Sequence, residues 1–105
     1  MLITGNKEIA DKVVEAIKTV KDPEMDITLY DFGIIYEVNV GEDNHVGIVA
    51  TFTAPNCPEA DYIMGELKEA VESVEGVKDC LIEITFDPVW NPDMMTEEGR
   101  LITGL

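Results

Sequence analysis

The apolar residues of this chain change their period three times, and that alternation restricts the folds open to it. Ile9, Val13, Ile17 and Val20 recur at helical spacing, with Ala10, Val14 and Ala16 widening the stripe. From Ile34 the period falls to two. Ile34, Tyr36, Val38 and Val40 alternate with Ile35, Glu37 and Asn39. After the turn Gly41-Glu42-Asp43-Asn44 the period of two continues, with Val46, Ile48, Ala50 and Phe52 opposite Gly47, Val49, Thr51 and Thr53. Helical spacing returns at Ala60, Ile63, Met64, Leu67, Val71 and Val74. Finally Cys80, Ile82, Ile84 and Phe86 alternate with Leu81, Glu83 and Thr85. The order is helix, hairpin, helix, strand (α-β-β-α-β). It predicts an α+β fold, a two-layer α/β sandwich with both helices on one face of a three-stranded sheet. The strand–helix–strand run from His45 to Phe86 is expected to make a right-handed crossover.

Local signals place the boundaries. Asn6 is a candidate N-cap for a helix over Lys7–Val20, and Glu8 and Lys12 can pair across one turn of it. Pro23 stops that helix by disfavouring helical geometry at Asp22. The loop from Asp22 to Asp31 carries four carboxylates but also Ile27, Leu29 and Tyr30, which can anchor it to the core. The second helix is predicted over Pro58–Val74, with Gly76 ending it. Gly65 inside it suggests a close contact. From Asp87 the tail is irregular, with a short helix capped by Thr96.

At 105 residues the chain has room for one domain, residues 1–105. Lys and Arg total 7 against 22 Asp and Glu, a net charge of −15. That balance argues against nucleic acid and against anionic membrane surfaces, because phosphate binding needs clustered cations. No apolar run approaches the roughly 20 residues of a membrane span. The N-terminus lacks the basic start and apolar core of a signal peptide, so a cytoplasmic location is expected. The two cysteines, Cys57 and Cys80, read as free thiols.

Cys57 is the sharpest chemical feature. It lies between Asn56 and Pro58, at or beside the start of the second helix. Such a position lowers a thiol's pKa, an effect that Glu59, Asp61 and the overall negative charge oppose. The alternative is an incidental loop cysteine. Cys80 falls on the buried face of its strand and reads as a small hydrophobe. His45, the single histidine, starts the strand that Cys57 follows, about 25 Å away at about 3.3 Å per residue. A Cys–His nucleophile pair is therefore not expected, and His45 reads as a solvated turn residue. Asp22, Glu24, Asp26 and Asp31 lack the ligand spacing of a calcium loop and read as solvated charges. Trp90 reads as a lid over the core. If the last strand runs parallel to the one before Cys57, its end and Trp90 share a sheet edge with that cysteine.

Three blocks together resemble the metal–sulfur cluster biosynthesis domain family, which includes the SufT and PaaD accessory proteins. They are Asp22-Pro23-Glu24 with Ile27 and Asp31-Phe32-Gly33-Ile34-Ile35; Thr53-Ala54-Pro55-Asn56-Cys57-Pro58; and Asp87-Pro88-Val89-Trp90 with Met95 and Arg100. They span nearly the whole chain. Phe32 stands where the family usually has Leu, Thr28 where Asn is common, and Thr103 where an aliphatic residue is usual. The resemblance implies a small α/β domain that helps mature iron–sulfur proteins. Its characteristic cysteine is Cys57, with Asp22, Glu24 and Thr53 near it.

The expected function is that of an accessory factor in iron–sulfur cluster assembly or delivery, working through the Cys57 loop, Trp90 and an acidic surface. No catalytic residue and no tightly bound cofactor are expected. A single cysteine cannot supply the four thiolates usual for a cluster, so a transient cluster on Cys57 needs a partner or a second subunit. Iron–sulfur carriers or client proteins are the expected partners, and an exposed alternating strand face leaves room for a homodimer. Two other readings remain: a PaaD-like accessory to a multicomponent oxygenase, and, in a different class, a cysteine-dependent thiol enzyme.

Overall fold

The computed structural model describes residues 1–23, 25–53 and 59–104. Four strands, β1 (Leu2–Gly5), β2 (Ile35–Val40), β3 (His45–Ala50) and β4 (Asp79–Ile84), form one sheet in the order β1-β2-β3-β4. The β1–β2 and β3–β4 pairs are parallel, and β2–β3 is the antiparallel hairpin. Two long helices, α1 (Lys7–Ile17) and α3 (Ala60–Glu72), pack on one face and touch each other. Two short ones, α2 (Leu29–Phe32) and α4 (Glu97–Thr103), lie in the connecting loop and the tail.

The α+β sandwich expected from the periodicities is present, but the sheet has four strands rather than three. The extra strand, β1, is four residues long and exposed throughout. It has no alternation of buried and exposed positions to mark it, and it joins β2 through backbone pairing from Leu2 opposite Glu37 to Gly5 opposite Val40.

A bulge changes the face assignment in β2. Ile35 lies opposite Ala50 and Glu37 opposite Val49, so β2 advances two residues while β3 advances one. Ile35 is thereby buried with Val38 and Val40, and Tyr36 leaves the file in which simple alternation placed it. Its hydroxyl instead donates to the Pro88 carbonyl at 2.8 Å and lies 3.4 Å from Met94 Sδ.

Helix α1 begins as expected, with Asn6 Oδ1 accepting from the Ile9 N–H at 3.2 Å. It ends at Ile17 rather than Val20. The Val20 carbonyl accepts from the Leu29 N–H, and Lys21 bridges to Thr28, so the chain is drawn out of the helix. The loop that follows contains α2. Thr28 Oγ1 accepts from the Asp31 N–H at 3.0 Å and donates to the Asp31 carboxylate at 3.1 Å, a reciprocal N-terminal cap. Helix α3 ends at Glu72, before Val74; its expected start at Pro58 lies outside the described residues. Gly65 is exposed and makes no close approach, with nothing within 4 Å of a Cβ placed there.

One core lies between the helices and the sheet. Ile17, Ile27, Leu29, Ile34, Ile48, Ile63 and Leu67 are each at most 2% exposed. The tail is fastened to this body at two glycines. A Cβ on Gly33 would overlap the Met94 carbonyl, and a Cβ on Gly99 would overlap the Asp31 carbonyl. Between them Thr96 donates to the Asp31 carboxylate at 2.7 Å while capping α4 at the Gly99 N–H.

Candidate functional site

The sequence points to Cys57, Asp22, Glu24, Thr53 and Trp90. Cys57 and Glu24 lie outside the described residues. Thr53 is exposed and ends the run that carries the chain from β3 toward residue 54. Because β4 runs parallel to β3, the ends of both strands lie at the same side of the sheet.

Trp90 is half-buried. Its indole N–H donates to the Phe32 carbonyl at 2.9 Å. Its ring meets Phe32 edge-to-face, with centroids 5.4 Å apart and planes at 83°. The single tryptophan therefore closes the core over the C-terminal end of α2, the lid its position suggested.

Asp22 shapes the first loop. Its N–H donates to the Ile27 carbonyl at 2.9 Å, its carbonyl accepts from the Asp26 N–H at 2.9 Å, and its Oδ1 accepts from the Met25 N–H at 3.0 Å. Asp26 lies 3.6 Å from the Lys21 ammonium, and Asp31 is bound to Thr28 and Thr96. These acids thus hold different parts of the loop and tail. Among the described residues no group of three His, Cys, Asp or Glu is placed to hold a metal ion.

Cys80 is 2% exposed on β4. Burial pushes its thiol up to about 11, against the opposing pull of the Lys68 ammonium. Its backbone is held by α3: the Cys80 N–H donates to the Glu72 carboxylate at 3.0 Å, and Lys68 donates to the Cys80 carbonyl. Lys68 and Glu72 are themselves paired at 2.9 Å. Their hydrogen bond, the main cause for both, holds the Glu72 carboxyl below and the Lys68 ammonium above their usual ranges. The thiolate fraction of Cys80 at pH 8 is then on the order of one in a thousand, against about a quarter for a free thiol. In a Cys57→Ser variant, iodoacetamide at pH 8 should leave Cys80 unmodified in the folded protein and label it fully in denaturant, as read by intact mass. Rapid labelling without loss of structure would contradict this burial.

His45 opens β3, with Nδ1 2.8 Å from Asp79 Oδ1. The sequence missed this contact because it joins residues 34 positions apart across the β3–β4 pairing. His45 stands at the end of β3 opposite to Thr53. A cleft of about 500 Å³ opens beside β1, lined by Met1, Ile3, Tyr30, Ile35, Tyr36 and Met94 among others. Its apolar walls suit an apolar side chain and offer no acid–base pair. Among the described residues no helix is long and apolar enough to cross a membrane.

The family described as iron–sulfur cluster assembly protein matches residues 10–84. A Porphyromonas gingivalis protein named Fe-S protein maturation auxiliary factor is 49% identical over 94 residues, covering 90% of this chain and 90% of its own. A Bacillus subtilis protein named Fe-S protein maturation auxiliary factor YitW is 30% identical, over 92% of this chain and 95% of its own. The structure of a conserved hypothetical protein from Thermotoga maritima is 34% identical and covers both chains fully, with a TM-score of 0.79.

Proposed function

Since the chain belongs to the iron–sulfur cluster assembly protein family, we propose that it is an accessory factor acting on clusters as cargo, through the Cys57 loop. The observation that carries the assignment to Cys57 is the burial of the other thiol. Cys80 is sealed under α3 with its pKa raised, so thiolate chemistry falls to Cys57. Cys57 acts as a transient ligand shared with a partner, because one thiolate cannot complete a cluster's coordination. The acidic surface favours carriers or clients with basic docking faces. We assign Asp22, Glu24, Thr53 and Trp90 to the same functional region as Cys57. In this reading the protein turns over no substrate.

Anaerobic reconstitution with iron and sulfide tests the proposal. Visible absorbance and bound iron per chain are followed in the wild type, Cys57→Ser and Cys80→Ala. Absorbance should appear in the wild type and in Cys80→Ala, and be lost in Cys57→Ser. Equal loading of all three would remove Cys57 from the role. No loading in any of them would leave an adaptor that contacts cluster-bearing proteins without holding the cluster.

A further inference from the structure

The sheet order leaves β4 with one strand neighbour and one free edge. The pairing shows which backbone groups face each way. The Thr85 N–H donates to the Ala50 carbonyl, and Ala50 lies opposite Ile84. Leu81, Glu83 and Thr85 therefore turn their backbone groups toward β3, while those of Cys80, Ile82 and Ile84 turn outward. The outward groups of Cys80 are both occupied, by Glu72 and Lys68 of α3. No described residue outside the sheet hydrogen-bonds the backbone of Ile82 or Ile84. Among the described residues the edge is closed at its first outward residue and open at the next two.

That open stretch lacks the usual protections. Edge strands are normally blunted by lysine, proline or a bulge. From Asp79 to Gly99 there is no lysine or arginine, and the first proline is Pro88. The β3–β4 register is regular over its whole length. Large apolar side chains stand exposed around it: Leu81 at 76%, Ile84 at 38%, Phe86 at 37% and Val89 at 69%. The same stretch carries six carboxylates, Asp79, Glu83, Asp87, Asp93, Glu97 and Glu98. A second copy of a chain with net charge −15 would be repelled from it.

We propose that the outer edge of β4 at Ile82 and Ile84 docks an extended segment of a partner protein, as a fifth strand in which basic and apolar side chains alternate. Backbone pairing supplies the attachment, Ile84 receives the apolar side chains on the face it shares with Cys80 and Ile82, and Glu83 and Asp87 meet the basic ones on the opposite face. Lys68 and Glu72 set where the added strand stops. The docking edge depends on strand geometry and charge, not on Cys57, so its failure leaves the proposed function standing.

The test uses the full-length, isotope-labelled protein and a capped decapeptide of alternating lysine and valine. Amide signals of Ile82 and Ile84 should shift and gain exchange protection, and the affinity should fall with salt. Ile84→Pro removes an outward N–H that the β3 pairing does not use, and should weaken binding about tenfold. A peptide N-methylated at every second residue, which cannot pair with the edge, provides the same check without altering the protein. Absence of binding, shifts spread over the acidic helix faces, or equal binding of the N-methylated peptide would overturn the proposal.

Discussion

Cells whose only copy of this protein carries Cys57→Ala should fail to mature its iron–sulfur clients, while the purified variant keeps its stability to within about 1 kcal/mol. Among the described residues the core is built from α1, α3 and the sheet, and Ile17, Ile48, Ile63 and Leu67 in it are each at most 1% exposed. The sequence places Cys57 in a loop at or beside a helix start, so its substitution is expected to remove chemistry rather than packing. Cys80→Ala is the matched control. It removes the buried sulfur and leaves Cys57 untouched, so client activity should persist at wild-type expression. The assay is activity of an iron–sulfur enzyme in extracts, with the amount of variant measured by immunoblot. Full client activity in Cys57→Ala at normal abundance would refute the cysteine's role.

The largest effect on stability is expected at Gly33. It ends α2 with φ +79°, a conformation that costs an L-residue about 1 kcal/mol or more. A methyl group there would also overlap the Met94 carbonyl, so the tail must move away. Overpacking of this kind typically adds about 1–3 kcal/mol. Gly33→Ala should therefore destabilise the protein by about 2–4 kcal/mol, lowering Tm by about 10–20 °C. Displacing the tail also weakens the Trp90 contact on Phe32, so the tryptophan emission should shift to the red in the folded variant. Gly65→Ala serves as the contrast. It lies exposed in α3 with space for a methyl group, and should raise stability by up to about 1 kcal/mol. Thermal denaturation of both variants checks the pair; equal behaviour would refute the tail-clamp argument.

Features carried by local pattern were legible in the sequence. The stripes of α1 and α3, the hairpin, and the caps Asn6 and Thr96 each depend on residues a few positions apart. The burial of Cys80 followed from alternation along β4. Its neighbours on that face, Ile84 and Phe86, are more than a third exposed because an edge strand leaves one flank uncovered. The bulge was hidden by three apolar residues in a row, Ile34, Ile35 and Tyr36, which fit either phase of a period of two. Helix α2 had a readable signal in Thr28 and Asp31, three residues apart, but four residues are too few to show a helical period. In the site, the roles of Asp31 and Trp90 depended on partners 65 and 58 positions away, Thr96 and Phe32. Nothing in the local sequence names such partners.

The sheet's connectivity has a consequence for chirality. Strands β1 and β2 point one way and β3 and β4 the other, yet both crossovers step in the same direction across the sheet. Their helices α1 and α3 lie on one face and touch. Two crossovers so related are mirror images in hand, and one of them departs from the right-handed rule. That rule expresses how a twisted strand lets a following helix fold back onto the sheet, so a departure costs least where least is buried. Strand β1, exposed at all four residues, is the cheapest place for it. The left-handed connection is therefore expected at β1, and the strands that the sequence announces, β2 to β4, are expected to keep the conventional hand.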